Sequence, residues 1–123
     1  MSTRCLIGYV NKETNAVRYI YIHCDGYPSH IAPILKGTYN TYEKMIDLVS
    51  RGSARNLAET YEDMEFYRDW DKEDYFGYPF VCKDEKAFFN KEEVDYGAAF
   101  KYLLYEDGCW VMQCTFSDVI ELY

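Results

Sequence analysis

Residues 5–10 (CLIGYV) and 17–23 (VRYIYIH) are dense in β-branched and aromatic side chains, and a polar run from Asn11 to Ala16 separates them. Such residues favour the pleated surface of a strand and the polar run reads as its turn, so an antiparallel hairpin is expected. A period of two along the second run sets Ile20 and Ile22 on one face and Tyr19, Tyr21 and His23 on the other. The aliphatic face suits a core. The aromatic face suits a partner or a second layer.

Past the turn cluster Asp25-Gly26-Tyr27-Pro28 the spacing lengthens to Ile31, Ile34, Leu35 and Thr38, one face of a helix with Ser29 as its expected N-cap. Asn40 followed by Glu43 has the form of a capping box. Tyr42, Met45, Ile46 and Val49 then mark the inner face of a second helix that ends at Arg51 and Gly52. Residues 98–105 (AAFKYLLY) and 109–115 (CWVMQCT) flank Glu106-Asp107-Gly108, and Asp-Gly is a strong hairpin signal. Ser117 is expected to cap a last helical turn through Val119, Ile120 and Leu122.

Strands at both ends with helices between them predict an α+β fold in a single domain, residues 1–123. Its antiparallel sheet is built from N- and C-terminal hairpins and packed by two short helices. The Tyr19, Tyr21 and His23 face then needs either water or a second subunit, and a homo-oligomer, most often a twofold dimer, is the economical expectation.

Composition adds where the charge lies. The chain of 123 residues carries 13 Lys and Arg against 21 Asp and Glu, a net charge of −8. That balance opposes direct binding to nucleic acid or anionic lipid, which requires a cationic face. Residues 59–95 hold thirteen carboxylates against five basic side chains, so this stretch accounts for the whole net charge. It also holds Tyr61, Phe66, Tyr67, Trp70, Tyr75, Phe76, Tyr78, Phe80, Phe88 and Phe89, too many large aromatics for a disordered acidic linker. An irregular folded excursion over one side of the sheet is expected. The five cysteines are odd in number and lack a C-x-x-C pair, no signal-peptide pattern precedes them, and no apolar run reaches membrane-spanning length. A cytosolic chain with free thiols is expected.

The segment from His23 to His30 gathers both histidines, Cys24 and Asp25 at a strand-to-helix turn, where side chains and free helix N–H groups can be aimed at an anion. An ordinary polar turn, with Asp25 serving local backbone groups, is the competing reading. The spacings of a zinc site are missing, as are the nucleophile-elbow, phosphate-loop and dinucleotide-binding patterns. A metal-free acid/base pair from His23 and His30 stays open, since imidazoles titrate near neutrality. Arg68, between acidic neighbours, serves either an internal ion pair with Asp69 or Asp71 or a bidentate grip on phosphate. Arg51 and Arg55 read as surface charges compatible with a helix end.

Thr3-Arg4 before the first strand, the octapeptide Tyr21-Ile22-His23-Cys24-Asp25-Gly26-Tyr27-Pro28, the later Phe66-Tyr67-Arg68-Asp69, and Tyr102-Leu103 with Gly108-Cys109-Trp110 form a further pattern. It resembles a family of small phage and prophage proteins with a Y-x-H-x-D-G-Y-P turn, departing from it at Cys24, where an aromatic is usual, and at Ala32, where Gly is usual. The resemblance implies a phage accessory protein in the cytoplasm of a bacterial host, with no established enzymatic activity.

Accessory proteins of this kind commonly antagonise host defence, and two physical modes fit the composition. One is sequestration of a nucleotide-derived immune signal in an aromatic pocket formed by Tyr21, His23, Asp25, Tyr27, His30, Arg68 and Trp110. The other is mimicry of nucleic acid, with the 59–95 carboxylates engaging a basic host protein such as a nuclease or CRISPR effector. A metal-independent phosphodiesterase acting on a cyclic nucleotide is a third reading. No cofactor or metal is expected in any of them.

Overall fold

A computed structural model describes residues 3–70, 75–114 and 118–122. The first hairpin forms as the alternation dictates: β1 (Cys5–Val10) pairs antiparallel with β2 (Val17–Ile22), from Cys5 opposite Ile22 to Val10 opposite Val17. Its turn closes through Asn11, whose side chain accepts from the Glu13 N–H at 2.9 Å, and through Asn15 at φ +64°, a conformation Asn tolerates better than most residues.

The second hairpin forms from β4 (Phe100–Leu104) and β5 (Trp110–Cys114), with Gly108 at φ +87° in the turn. A six-stranded sheet results, in which β3 (Phe80–Cys82) flanks β2 and β6 (Ile120–Glu121) flanks β5. The two hairpins meet along β1 and β4, which run parallel with Cys5 opposite Phe100 and Tyr9 opposite Leu104. The sheet is therefore antiparallel at every pairing but its central one. Parallel neighbours cannot be joined by a tight turn, and residues 23–99 form the crossover.

The expected last helical turn is instead strand. Ile120 and Glu121 pair with Met112 and Val111, and Val119 and Ile120 are adjacent β-branched residues for which the open edge of β5 offers backbone partners. Ser117, its expected cap, lies outside the described residues.

On one face of the sheet lie α1 (Pro28–Gly37) and α2 (Tyr42–Ser50). Ile31, Ile34 and Leu35 of α1 and Met45, Leu48 and Val49 of α2 pack with Ile7, Ile20, Ile22, Tyr102 and Leu104. Two details differ from the sequence expectation. Helix α1 is capped at Tyr27 rather than Ser29, because Pro28 suits the first helical position, where its missing N–H has no partner to lose. Helix α2 is capped by Thr41 rather than Asn40, its hydroxyl accepting from the Lys44 N–H at 3.2 Å, and the buried face then takes Leu48 while Ile46 is exposed.

The other face is covered from within the chain. Tyr19 is 3% and Tyr21 7% exposed, packed with Leu6, Val17 and Leu103 beneath Phe80, Phe88, Val94 and Ala98. After the short α3 (Tyr67–Trp70), Phe88 belongs to α4 (Glu85–Phe89), capped by the Asp84 carboxylate, which accepts from the Ala87 N–H at 2.9 Å. The acidic segment thus does not keep to one side of the sheet. Tyr61, Met64 and Phe66 join the helix-side core, while Tyr67, Phe76, Phe80 and Phe88 build the opposite one. Burying Phe66, Phe80 and Phe88 of that segment on the two faces removes their apolar area from water and stabilises the fold, while Trp70 and Tyr78 stay exposed. Among the described residues, no helix is long and apolar enough to cross a membrane.

Tyr102, fully buried on β4, donates its hydroxyl to the Gly26 carbonyl at 2.8 Å and so ties the turn after β2 to the centre of the sheet. Tyr102→Phe leaves that carbonyl buried without its donor and is expected to cost about 1–3 kcal/mol in urea unfolding. An unchanged midpoint would show that the bond contributes nothing.

Candidate functional site

Strand β2 ends against the segment that follows α2. Ser53 is buried and its hydroxyl accepts from the Tyr21 N–H at 2.8 Å, the Ala54 N–H donates to the Tyr21 carbonyl at 3.0 Å, and the Cys24 N–H donates to the Arg55 carbonyl at 2.8 Å. These bonds hold His23 and Cys24 in line with the strand although the sheet proper has stopped. Asp25 then takes φ +57°, which turns the chain, and the buried Gly26 donates its N–H to the Thr3 carbonyl at 2.8 Å. A Cβ at Gly26 would lie 2.8 Å from the Cβ of Cys5, so this close approach requires glycine.

Five of the seven sequence-predicted residues follow one another along this turn. The Tyr21 hydroxyl and His23 Nδ1 are hydrogen-bonded at 2.7 Å, which fixes the imidazole beside the second core. Asp25 is exposed. The Tyr27 ring, 40% exposed, lies 6.1 Å from the ring of His30. His30 Nε2 is 3.2 Å from the Leu57 carbonyl; because a carbonyl only accepts, that nitrogen carries the proton.

The structure places the remaining two in other roles. Arg68 donates Nε–H to the Gly77 carbonyl at 2.9 Å and Nη2–H to the Ser50 carbonyl at 3.0 Å, and its guanidinium lies 5.4 Å from the Tyr78 ring. Its donors go to backbone carbonyls at the end of α2 and the 75–77 turn rather than to the Asp69 carboxylate, because a helix C-terminus leaves carbonyls without intrahelical donors. Asp71 lies outside the described residues. Trp110 is 4% exposed in the helix-side core, with its indole nitrogen buried and without an acceptor among the described residues. It lies on the face of the sheet opposite Tyr21.

One residue of the turn's surroundings was not among the sequence candidates. Cys5 pairs with Ile22, so the hairpin register carried one step further sets Arg4 opposite His23, on the face of Tyr21. The Arg4 guanidinium lies against Gly97, where a Cβ would meet Nη1 at 2.9 Å, and the φ of +70° there also calls for glycine. Burial pushes the Tyr21 phenol above its ordinary pKa, and the Arg4 charge pulls it part of the way back. Among the described residues no carboxylate lies within ion-pair distance of Arg4. The signal that finds it is the strand register, not the local sequence.

Among the described residues no three His, Cys, Asp or Glu side chains are grouped to hold a metal ion. What the arrangement can do is hold an anion: one cation with no carboxylate partner among the described residues, one imidazole and one phenol share an end of the sheet, with an exposed tyrosine ring on the same turn.

Arg68→Ala removes two hydrogen bonds from a charged donor to backbone carbonyls and is expected to destabilise the fold by about 1–3 kcal/mol in urea unfolding. Ligand binding measured on the folded fraction should be unchanged. A stable Arg68→Ala protein that has lost ligand would return Arg68 to the site.

No protein-family model, curated protein or solved structure matches the chain.

Proposed function

We propose that this chain is a binding protein that sequesters a small anionic ligand of the nucleotide class, as a phage accessory protein directed against host defence. The observation that carries the reading is the Arg4 guanidinium, which has no carboxylate partner among the described residues, beside the hydrogen-bonded Tyr21 and His23. A guanidinium offers a planar fork of donors that matches phosphate, and an imidazole beside it adds a third donor when protonated. The exposed ring of Tyr27 suits stacking on a base. The phage setting rests on the resemblance carried by residues 21–28.

Binding is favoured over cleavage because sequestration asks only for donors, whereas cleavage asks for two imidazoles facing one substrate, and His23 and His30 are held by separate partners, Tyr21 and the Leu57 carbonyl. Sequestration is favoured over nucleic-acid mimicry because a mimic displays its carboxylates as one contiguous row. Glu59, Glu62 and Glu65 flank residues of the helix-side core, whereas Glu85, Glu92 and Asp95 flank residues of the other.

The test is to incubate purified protein with cyclic dinucleotides and cyclic ADP-ribose variants, remove free ligand by gel filtration, and identify by mass spectrometry what heat releases. The wild-type protein should return one nucleotide intact, and Arg4→Met and His23→Ala should each weaken its retention by at least about tenfold, the scale of one charge-assisted hydrogen bond. No retained nucleotide and no thermal shift would contradict the proposal. Release of a hydrolysed product would replace sequestration by catalysis.

A further inference from the structure

Lys101 is the one buried cation among the described residues, 6% exposed on β4 beneath the second layer. Its ammonium donates to the Phe88 carbonyl at 2.7 Å and to the Val94 carbonyl. An ammonium has three donors, so one N–H is left over. No carboxylate lies within ion-pair distance among the described residues; Asp95 acts on the amine only from farther away. Burial accordingly pushes the Lys101 amine below its ordinary pKa. Two carbonyls could be satisfied by a neutral donor, whereas a buried cation is strongly unfavourable unless an anion meets it.

Lys101 also borders a cavity of about 520 Å³ between the 89–99 segment and the β4–β5 hairpin. Gln113, directly across from Lys101 on β5, borders the same cavity. Phe89 supplies an apolar wall, and the small side chains of Ala98 and Ala99 leave width beside it. Lys91, Glu92 and Asp95 also line the cavity, and the two carboxylates disfavour a doubly charged phosphate more than a singly charged carboxylate.

We propose that this cavity is a second ligand site, taking a small carboxylate with a flat apolar body whose charged end meets the remaining N–H of Lys101 and whose body lies against Phe89. The site adjoins the Arg4 and His23 turn, since the Ala99 N–H donates to the Arg4 carbonyl at 2.9 Å, but its charge is that of Lys101.

Benzoate and its neutral isostere benzamide are the probes, titrated into the full-length ¹⁵N-labelled protein. Benzoate should shift the amides of Asn90, Lys101 and Gln113 saturably and bind at least about tenfold more tightly than benzamide, since only the carboxylate pairs with the ammonium. Lys101→Met should abolish that preference. Should Lys101→Met fail to fold, Ala99→Phe, which fills the cavity and leaves both Lys101 hydrogen bonds in place, should abolish benzoate binding. Equal titration by the two probes, no saturable shift, or shifts confined to the Arg4 and His23 turn would overturn the proposal.

Discussion

The parallel pairing of β1 with β4 is the constraint from which the rest of the architecture follows. Each hairpin is a local structure, but a two-stranded ribbon is marginal in water and must gain a covered face. Setting the hairpins side by side with β1 and β4 parallel makes one wide sheet and forces the connection between them to be long. Residues 23–99 meet that need and supply both layers: α1 and α2 with Tyr61, Met64 and Phe66 on one face, then Tyr67, Phe76, Phe80, Phe88 and Val94 on the other. The Tyr102 hydroxyl on the Gly26 carbonyl fastens the start of the crossover to the strand at which it finishes.

This layout explains how a segment can be both the most acidic and the most aromatic part of the chain. Phe66, Phe80 and Phe88 are buried, while Glu62, Glu65, Glu85 and Glu93 face solvent. The aromatics anchor the stretch to two cores and the carboxylates keep its outer surface hydrated. The candidate anion site lies at the end of the sheet where β1 begins and β2 stops, next to this segment but built largely from neutral and basic residues.

Much of this was legible in the sequence wherever the signal is local. Alternation in 17–23 and Asp107-Gly108 mark the hairpins, and Ile31, Ile34 and Leu35 mark a helix face. Caps were displaced by a residue or two because Pro28 and Thr41 competed with Ser29 and Asn40, a contest between neighbours of similar chemistry. Nothing local announces that β1 and β4 pair in parallel, since strands 95 residues apart choose their neighbour by the fit of whole layers. For the same reason the tyrosine face looked open: what covers it lies more than 40 residues away. At the site, the turn carrying Tyr21, His23 and Tyr27 was readable from its residue types. Arg4 was not, because its relation to His23 exists only once the hairpin register is known. Trp110 was misleading in the opposite sense, an aromatic that the sheet needs for its core.

The central claim is that one chain covers both faces of its own sheet. Amide hydrogen exchange measured across about a hundredfold dilution tests it directly, because protection that depends on a second subunit follows protein concentration. The amides of Tyr19, Tyr21 and Leu103 should be strongly protected, at rates that do not change with concentration. Protection of these three that falls on dilution, while that of Ile7 and Ile20 persists, would contradict the account and show that the aromatic face is completed by another copy.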